Sequence, residues 1–226
     1  PPRSTLFPYT TLFRSYERQD PSAVPLLAKL QQESKAPLAR LHALYALDGL
    51  GALKESELLT ALSDADAAVR EHAVKLAEKF IPDGVVSASL WEGLQRQAGD
   101  PDDLVRYQLA FTLGEVKGKE RIEPLAEIVR RDVESSWTQA AILSSLAEGA
   151  GEMFAELSAD EAFRNSAPGQ DFLRQLAILV GARNEPRETA AVLDFVSQLE
   201  DRGLMFTMTR ADRKSTRLNS SHGQLS

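Results

Sequence analysis

Two stretches decide how this chain folds: DADAAVREHA at residues 64–73 and DPDDLVRYQL at residues 100–109. Both carry the pattern D-x-D-x-x-V-R, and they lie 36 residues apart. Aspartate disfavours a helix interior but suits its entry, where a carboxylate accepts backbone N–H bonds and meets the positive end of the helix dipole. Beyond each aspartate pair, apolar residues recur at three- and four-residue steps, which marks one face of a helix. Each stretch therefore predicts a helix start at a repeated junction.

The same phrase extends along the chain. RLHALYAL from Arg40, REHAVKLA from Arg70, RYQLAFTL from Arg106, TQAAILSS from Thr138 and RQLAILVG from Arg174 align at steps of 30, 36, 32 and 36 residues. Ala39, Val69, Val105, Trp137 and Leu173 precede these starts and are expected to fill the seam between neighbouring units. Ala43, Ala73, Leu109, Ala141 and Ala177 stand three places after the starts, where a small side chain lets two helices approach closely. A second helical run follows in each unit, at about 55–63, 87–98, 121–131, 152–163 and 188–200, and a half-unit at 22–34 precedes them. Short Gly, Pro and Asp clusters such as Pro82-Asp83-Gly84 and Pro168-Gly169 mark the breaks, and β-branched alternation is scarce.

One helical pair cannot bury both of its faces, so stacking must supply the core. The expected fold is all-α, a right-handed α-α superhelix of about five helical pairs, with repeats at about 36–64, 65–100, 101–132, 133–167 and 168–200. Asp64, Asp100 and Asp132 are expected at the junctions. Arg40, Arg70, Arg106 and Arg174 form a ladder at one repeat position. Such a ladder can pair with the junction aspartates of its own or an adjacent repeat, or it can offer a basic stripe to an acidic partner or nucleic acid.

With D-x-D-x-x-V-R-x-x-A at Asp64–Ala73 and D-P-D-x-x-V-R at Asp100–Arg106, the chain resembles the HEAT-repeat, armadillo-like solenoids in their compact form. Leu109 and Thr138 depart from that pattern. The resemblance implies a helical solenoid and says little of function, because such folds serve many partners. The phrases RLHALYALDGLGAL, VRYQLAFTLGE, WTQAAILSSL and FLRQLAILVGARNEP are similar to the helical middle of large bacterial envelope proteins. In that family HEAT repeats join a dehydrogenase-like β-propeller to a c-type haem domain. This second resemblance implies a connector role and a periplasmic or envelope location for the parent. The family's Cys-x-x-Cys-His haem signature has no counterpart here, since the chain contains no Cys.

The two ends differ in style. PPRSTLFPYTTLFRS (1–15) and DRKSTRLNSSH with Gly223–Ser226 (212–226) can each be encoded by a strand of a short-read sequencing adapter, in the right orientation at either end. These segments are expected to be adapter-derived, leaving 16–211 as a fragment of a longer protein. The whole chain carries 26 basic and 33 acidic residues; setting the ends aside removes five bases and one acid and gives a net charge of −11. That acidity argues against a phosphate-binding groove and hence against nucleic acid as the partner. Without Cys, disulfides, thiolate metal sites and Cys nucleophiles are excluded. No apolar run reaches the roughly 18–20 residues that a membrane span requires.

Other candidates have plainer readings beside the chemical ones. His42 and His72 share one repeat position, so a metal pair is geometrically conceivable, but no third ligand accompanies them and helix-surface histidines are the simpler reading. Asp64/Asp66 and Asp100/Asp102/Asp103 lack the ligand order of a calcium loop and read as junction caps. Ser135-Ser136 and Ser144-Ser145 have no nucleophile elbow, and Gly149-Ala150-Gly151 alone is no phosphate loop. Trp91 and Trp137 read as core, or as anchors if they face a partner. Lys117, Lys119 and Arg121 form one basic turn and read as a solvated loop. No catalytic, cofactor-binding, metal-binding or small-molecule site is expected. The expected function is a non-catalytic scaffold or connector for protein or interdomain contacts, with a structural segment of a redox protein and a nucleic-acid-binding repeat as its alternatives.

Overall fold

Helix entries are written into the local sequence, and the computed structural model, which describes residues 20–183 and 185–198, places a helix after each of them. Residues 1–15 and 212–226, the expected adapter segments, lie outside the described residues. All regular structure among the described residues is helical, which makes the chain an all-α solenoid of repeated helical pairs. Backbone proximity divides it after Thr112 into two units.

Unit 1 holds α1 (Val24–Glu33), α2 (Pro37–Gly49), α3 (Glu55–Leu62), α4 (Ala67–Ala77), α5 (Ala88–Gln97) and α6 (Asp103–Thr112). Proline opens α2 at its first residue, where the missing N–H costs nothing. Asp66 caps α4 through the Ala68 and Val69 N–H groups, and Ser87 caps α5 through Leu90 N–H. The helices stack in two layers, with α2, α4 and α6 side by side in one and α1, α3 and α5 in the other. Between the layers Leu44, Leu47, Leu58, Leu62, Leu90, Leu94 and Leu109 are buried, each stabilising the fold by roughly 1.5–3 kcal/mol. Ala43 and Ala73 are fully buried within this core, and Val69 and Val105 are buried beside them.

Unit 2 holds α7 (Ile122–Asp132), α8 (Ser136–Ser145), α9 (Ala150–Ala159), the short α10 (Glu161–Asn165), α11 (Ala167–Arg183) and α12 (Pro186–Gln198). Its centre is α9, which packs against α7, α10, α11 and α12. Phe154 of α9 is fully buried and meets Phe195 of α12 edge-on, with ring centroids 5.3 Å apart. Gly151 makes the close approach of α9 and α12 possible, since a Cβ there would stand 2.7 Å from the Glu188 Cβ.

In chain order unit 1 reads as a leading α1 followed by α2/α3, α4/α5 and α6, and unit 2 as α7, α8/α9 and α10–α11/α12. One boundary differs from the sequence reading. The run expected at 152–163 ends at Ala159, because Asp160 turns extended (φ −76°, ψ 107°) and caps a new helix by accepting from Phe163 N–H. The first helix of the last repeat therefore starts at Glu161 and is broken at Ser166.

Candidate functional site

The two aspartates of D-x-D divide their labour. Arg40 grips Asp64 with both arms, Nε–Oδ2 at 2.6 Å and Nη2–Oδ1 at 2.5 Å. Arg70 does the same to Asp100 at 2.6 and 2.8 Å. Capping falls instead to the second aspartate: Asp66 accepts from Ala68 and Val69 N–H, and Asp102 from Leu104 N–H. Asp64 and Asp100 each also accept the N–H of that second aspartate, at 2.9 Å. Burial pushes the Asp64 carboxyl up, but the Arg40 bond, the Asp66 N–H and the charges of Arg40 and Arg70 outweigh it and hold it below its ordinary value. Asp100 is depressed in the same way, burial being outweighed by Arg70, the Asp102 N–H and the charges of Arg70 and Arg106.

Each ladder arginine also reaches back to the carbonyl six residues before it. Arg40 Nη1 bonds Ser34 O at 2.8 Å, Arg70 Nη1 bonds Asp64 O at 2.9 Å, and Arg106 Nη1 bonds Asp100 O at 2.5 Å. These carbonyls lie where one helix has ended and cannot find an intrahelical donor. One guanidinium thus satisfies its own junction with one nitrogen and, in Arg40 and Arg70, clasps the next junction with the other two.

That six-residue bond defines the register in unit 2 and corrects the sequence alignment there. Gln139 Nε2 bonds Val133 O at 2.5 Å, so Gln139, not Thr138, occupies the arginine position of the fourth repeat. The seam residue is then Thr138, which is buried, and the inner residue is Ile142, fully buried. Trp137, expected at the seam, is 75% exposed, and Ala141 stands buried one place before the inner position. In the fifth repeat Arg164 makes the bond, to Ser158 O at 2.9 Å, with Phe163 buried before it. Arg174 is no ladder member; among the described residues it pairs within its own helix, with Asp171. Leu173 and Ala177 are buried along α11. Asp132 ends α7, where its carbonyl accepts from Ser135 N–H at 2.9 Å, and the cap of α8 is Ser135.

Other sequence candidates settle into structural roles. His72 Nδ1 stands 2.7 Å from the Tyr45 hydroxyl of the preceding repeat. Ser144 and Ser145 both donate to Ala141 O. Trp91 is half-buried on α5 and Asp103 exposed at the start of α6. No group of three or more His, Asp or Glu able to hold a metal occurs among the described residues.

Two surfaces remain. In unit 1 the residue two places before each ladder arginine faces outward: Leu38 is 54% exposed, Leu104 is 57% exposed, and Ala68 is exposed between them in sequence. On α6 the outward stripe continues through half-buried Tyr107 to exposed Phe111, whose rings meet edge-on at 5.1 Å. The spacing Leu104, Tyr107, Phe111 places all three on one helix face. Trp137 holds the same outward position in the fourth repeat, counted from Gln139.

In unit 2 a cavity of about 740 Å³ opens between the Gly118–Ile122 turn, the start of α9 and the α11–α12 connection. Arg121, which the sequence reading placed in a solvated loop, is only 5% exposed. Its guanidinium donates to Gly114 O, Ser145 O and Glu148 O, which are carbonyls at helix ends and in a turn. Burial lowers its pKa, Glu148 opposes that, and the neighbouring Arg183 charge adds to it.

Residues 53–147 match the family model described as HEAT repeats. No curated protein matches the chain. This match makes the central repeats similar to HEAT repeats, and the all-helical architecture of the described residues agrees with it.

Proposed function

We propose that the chain is a non-catalytic scaffold whose unit 1 presents the α2–α4–α6 layer to a protein partner, either a separate chain or another domain of a longer parent. The observation that carries this reading is the outward stripe of Leu104, Tyr107 and Phe111 on α6, with Leu38 exposed at the matching position of α2. Large apolar and aromatic side chains on α6, with Leu38 at the matching position two helices away and the small Ala68 between them, offer anchors on one layer. The surrounding charge favours a basic amphipathic helix, since Asp103 is exposed beside Leu104 and the chain is acidic overall.

The test is selection of binders from a random-peptide display library on the full chain. Selected peptides should carry apolar residues at helical spacing flanked by Lys or Arg. They should bind the Leu104→Ser, Phe111→Ser double variant at least tenfold more weakly, a loss of about 1.4 kcal/mol. Binders indifferent to both substitutions would contradict the reading.

A further inference from the structure

The outward stripe of α6 has counterparts on α2 and α4, and their chemistry differs. Counted from the ladder arginine of each repeat, Leu104, Tyr107 and Phe111 correspond to Leu38, Leu41 and Tyr45 on α2 and to Ala68, Glu71 and Lys75 on α4. Apolar rows on the two outer helices thus flank a middle row of one small residue and two charges. The rows adjoin: the Tyr45 hydroxyl stands 2.7 Å from His72 Nδ1 of α4, and Gln108 of α6 donates to Glu78, just past α4, at 3.2 Å. Most charges on this layer have a local explanation. Asp103 lies in the first turn of α6 and Lys75 in the last turn of α4, where each suits the helix dipole. Asp48 is tied to Lys79, and Lys35 is exposed before α2 starts. Glu71 is different: it is half-buried in mid-helix and has neither a hydrogen bond nor an ion pair among the described residues, although Lys75 follows at i+4 spacing. Its charge is felt toward α2, where burial, then Asp48, then Glu71 push the Tyr45 hydroxyl up and keep it protonated. Glu71 is set apart by place, between two apolar rows, while Lys35 and Lys75 stand at opposite ends of the layer.

A partner helix laid along α6 would meet apolar groups alone and leave Leu38 and Leu41 uncovered. One laid across the layer meets an apolar row, the Glu71 carboxylate and a second apolar row in turn. Packed helices stand about 8–10 Å apart, and a helix rises about 1.5 Å per residue. One step across the layer therefore takes about seven residues, two turns, which returns a side chain to the same face. We propose that the unit 1 face takes an amphipathic helix laid across α2, α4 and α6, whose Lys or Arg pairs with Glu71 between apolar anchors about seven residues to either side. Glu71 is then the specificity-determining residue of the face: the apolar rows hold the partner, and the carboxylate selects a cation at its centre. This inference rests on the reading of unit 1 as a docking face and adds the partner's direction and the place of its charge.

The experiment measures, by fluorescence anisotropy, the affinity of display-selected peptides for the full chain and for the charge swap Glu71→Lys, Lys75→Glu. The swap keeps the net charge and touches no buried residue, and an unchanged unfolding midpoint checks that the fold survives it. Selected peptides should carry Lys or Arg midway between two apolar residues, and the swap should weaken their binding roughly tenfold or more. A peptide with Glu in place of that central cation should bind the unsubstituted chain poorly and recover on the swapped one. Equal affinity for both chains, no recovery with the Glu peptide, or binders without a central cation would overturn the inference. Loss of binding in Leu104→Ser, Phe111→Ser but not in the swap would leave the docking face standing and remove the role of Glu71. Loss in neither, or no binder at all, would remove both.

Discussion

Arg70 and Asp100 are joined by two parallel hydrogen bonds across 30 residues of sequence, and both side chains are nearly shielded from water, at 12% and 5% exposure. A fork-to-fork pair in that setting fixes position as well as charge. Removing one partner leaves the other charge buried, so Arg70→Ala and Asp100→Ala should each destabilise the fold by about 3 kcal/mol. The double variant should lose much less than the sum, measured by denaturant unfolding as a double-mutant cycle. Additive losses would mean that the pair acts as two independent groups.

Acid should reveal the same clamps. Asp64 and Asp100 are held below their ordinary values, so their contribution is present above the unfolded-state pKa of about 3.9 and is lost as pH falls through the folded values. Unfolding midpoints should therefore drop below about pH 4. The Asp64→Asn, Asp100→Asn variant should be less stable at neutral pH and show a flatter profile in that window. An unchanged slope would remove these two carboxylates as its cause.

The shifted register of the fourth repeat separates two residues that look alike in sequence. Ile142 is fully buried and Trp137 is 75% exposed. Ile142→Ala should cost about 2–5 kcal/mol, whereas Trp137→Ser should change stability by no more than about 0.5 kcal/mol. A large loss from Trp137→Ser would restore the tryptophan to the seam.

Gly151 tests how closely α9 and α12 pack. Alanine ordinarily favours a helix over glycine by about 1 kcal/mol. Here its Cβ would meet the Glu188 Cα and Cβ at 2.8 and 2.7 Å. Gly151→Ala should therefore lower the thermal midpoint, and a rise would show that the approach is looser than described.

The repeat architecture was legible because its signals are local: Asp66 and Asp102 sit within one turn of the N–H groups they cap. Val69 and Val105 likewise announce their burial by spacing. The division between clamp and cap was not legible, since both residues are aspartates and only the tertiary fold brings Arg40 to Asp64 and Arg70 to Asp100. The fourth repeat misled because Gln139 replaces the arginine, and the hydrophobicity of Trp137 drew the alignment one place early. In the fifth, Arg174 matched by spacing, but the broken helix at Ser166 moved the register to Arg164. Arg121 lay in a lysine-rich turn that reads as solvated, and its burial depends on carbonyls up to 27 residues away. The signal that could have found it is the pair Gly149 and Gly151, which marks a tight approach near the same turn.

The face used for binding is the central functional claim, and side-chain footprinting of the full chain with a display-selected peptide tests it directly. Hydroxyl-radical labelling should fall at Leu38, Leu104, Tyr107 and Phe111 when peptide is bound and stay constant at Trp91 on the opposite layer. Protection at Trp91 with no change on α2 and α6 would contradict the account.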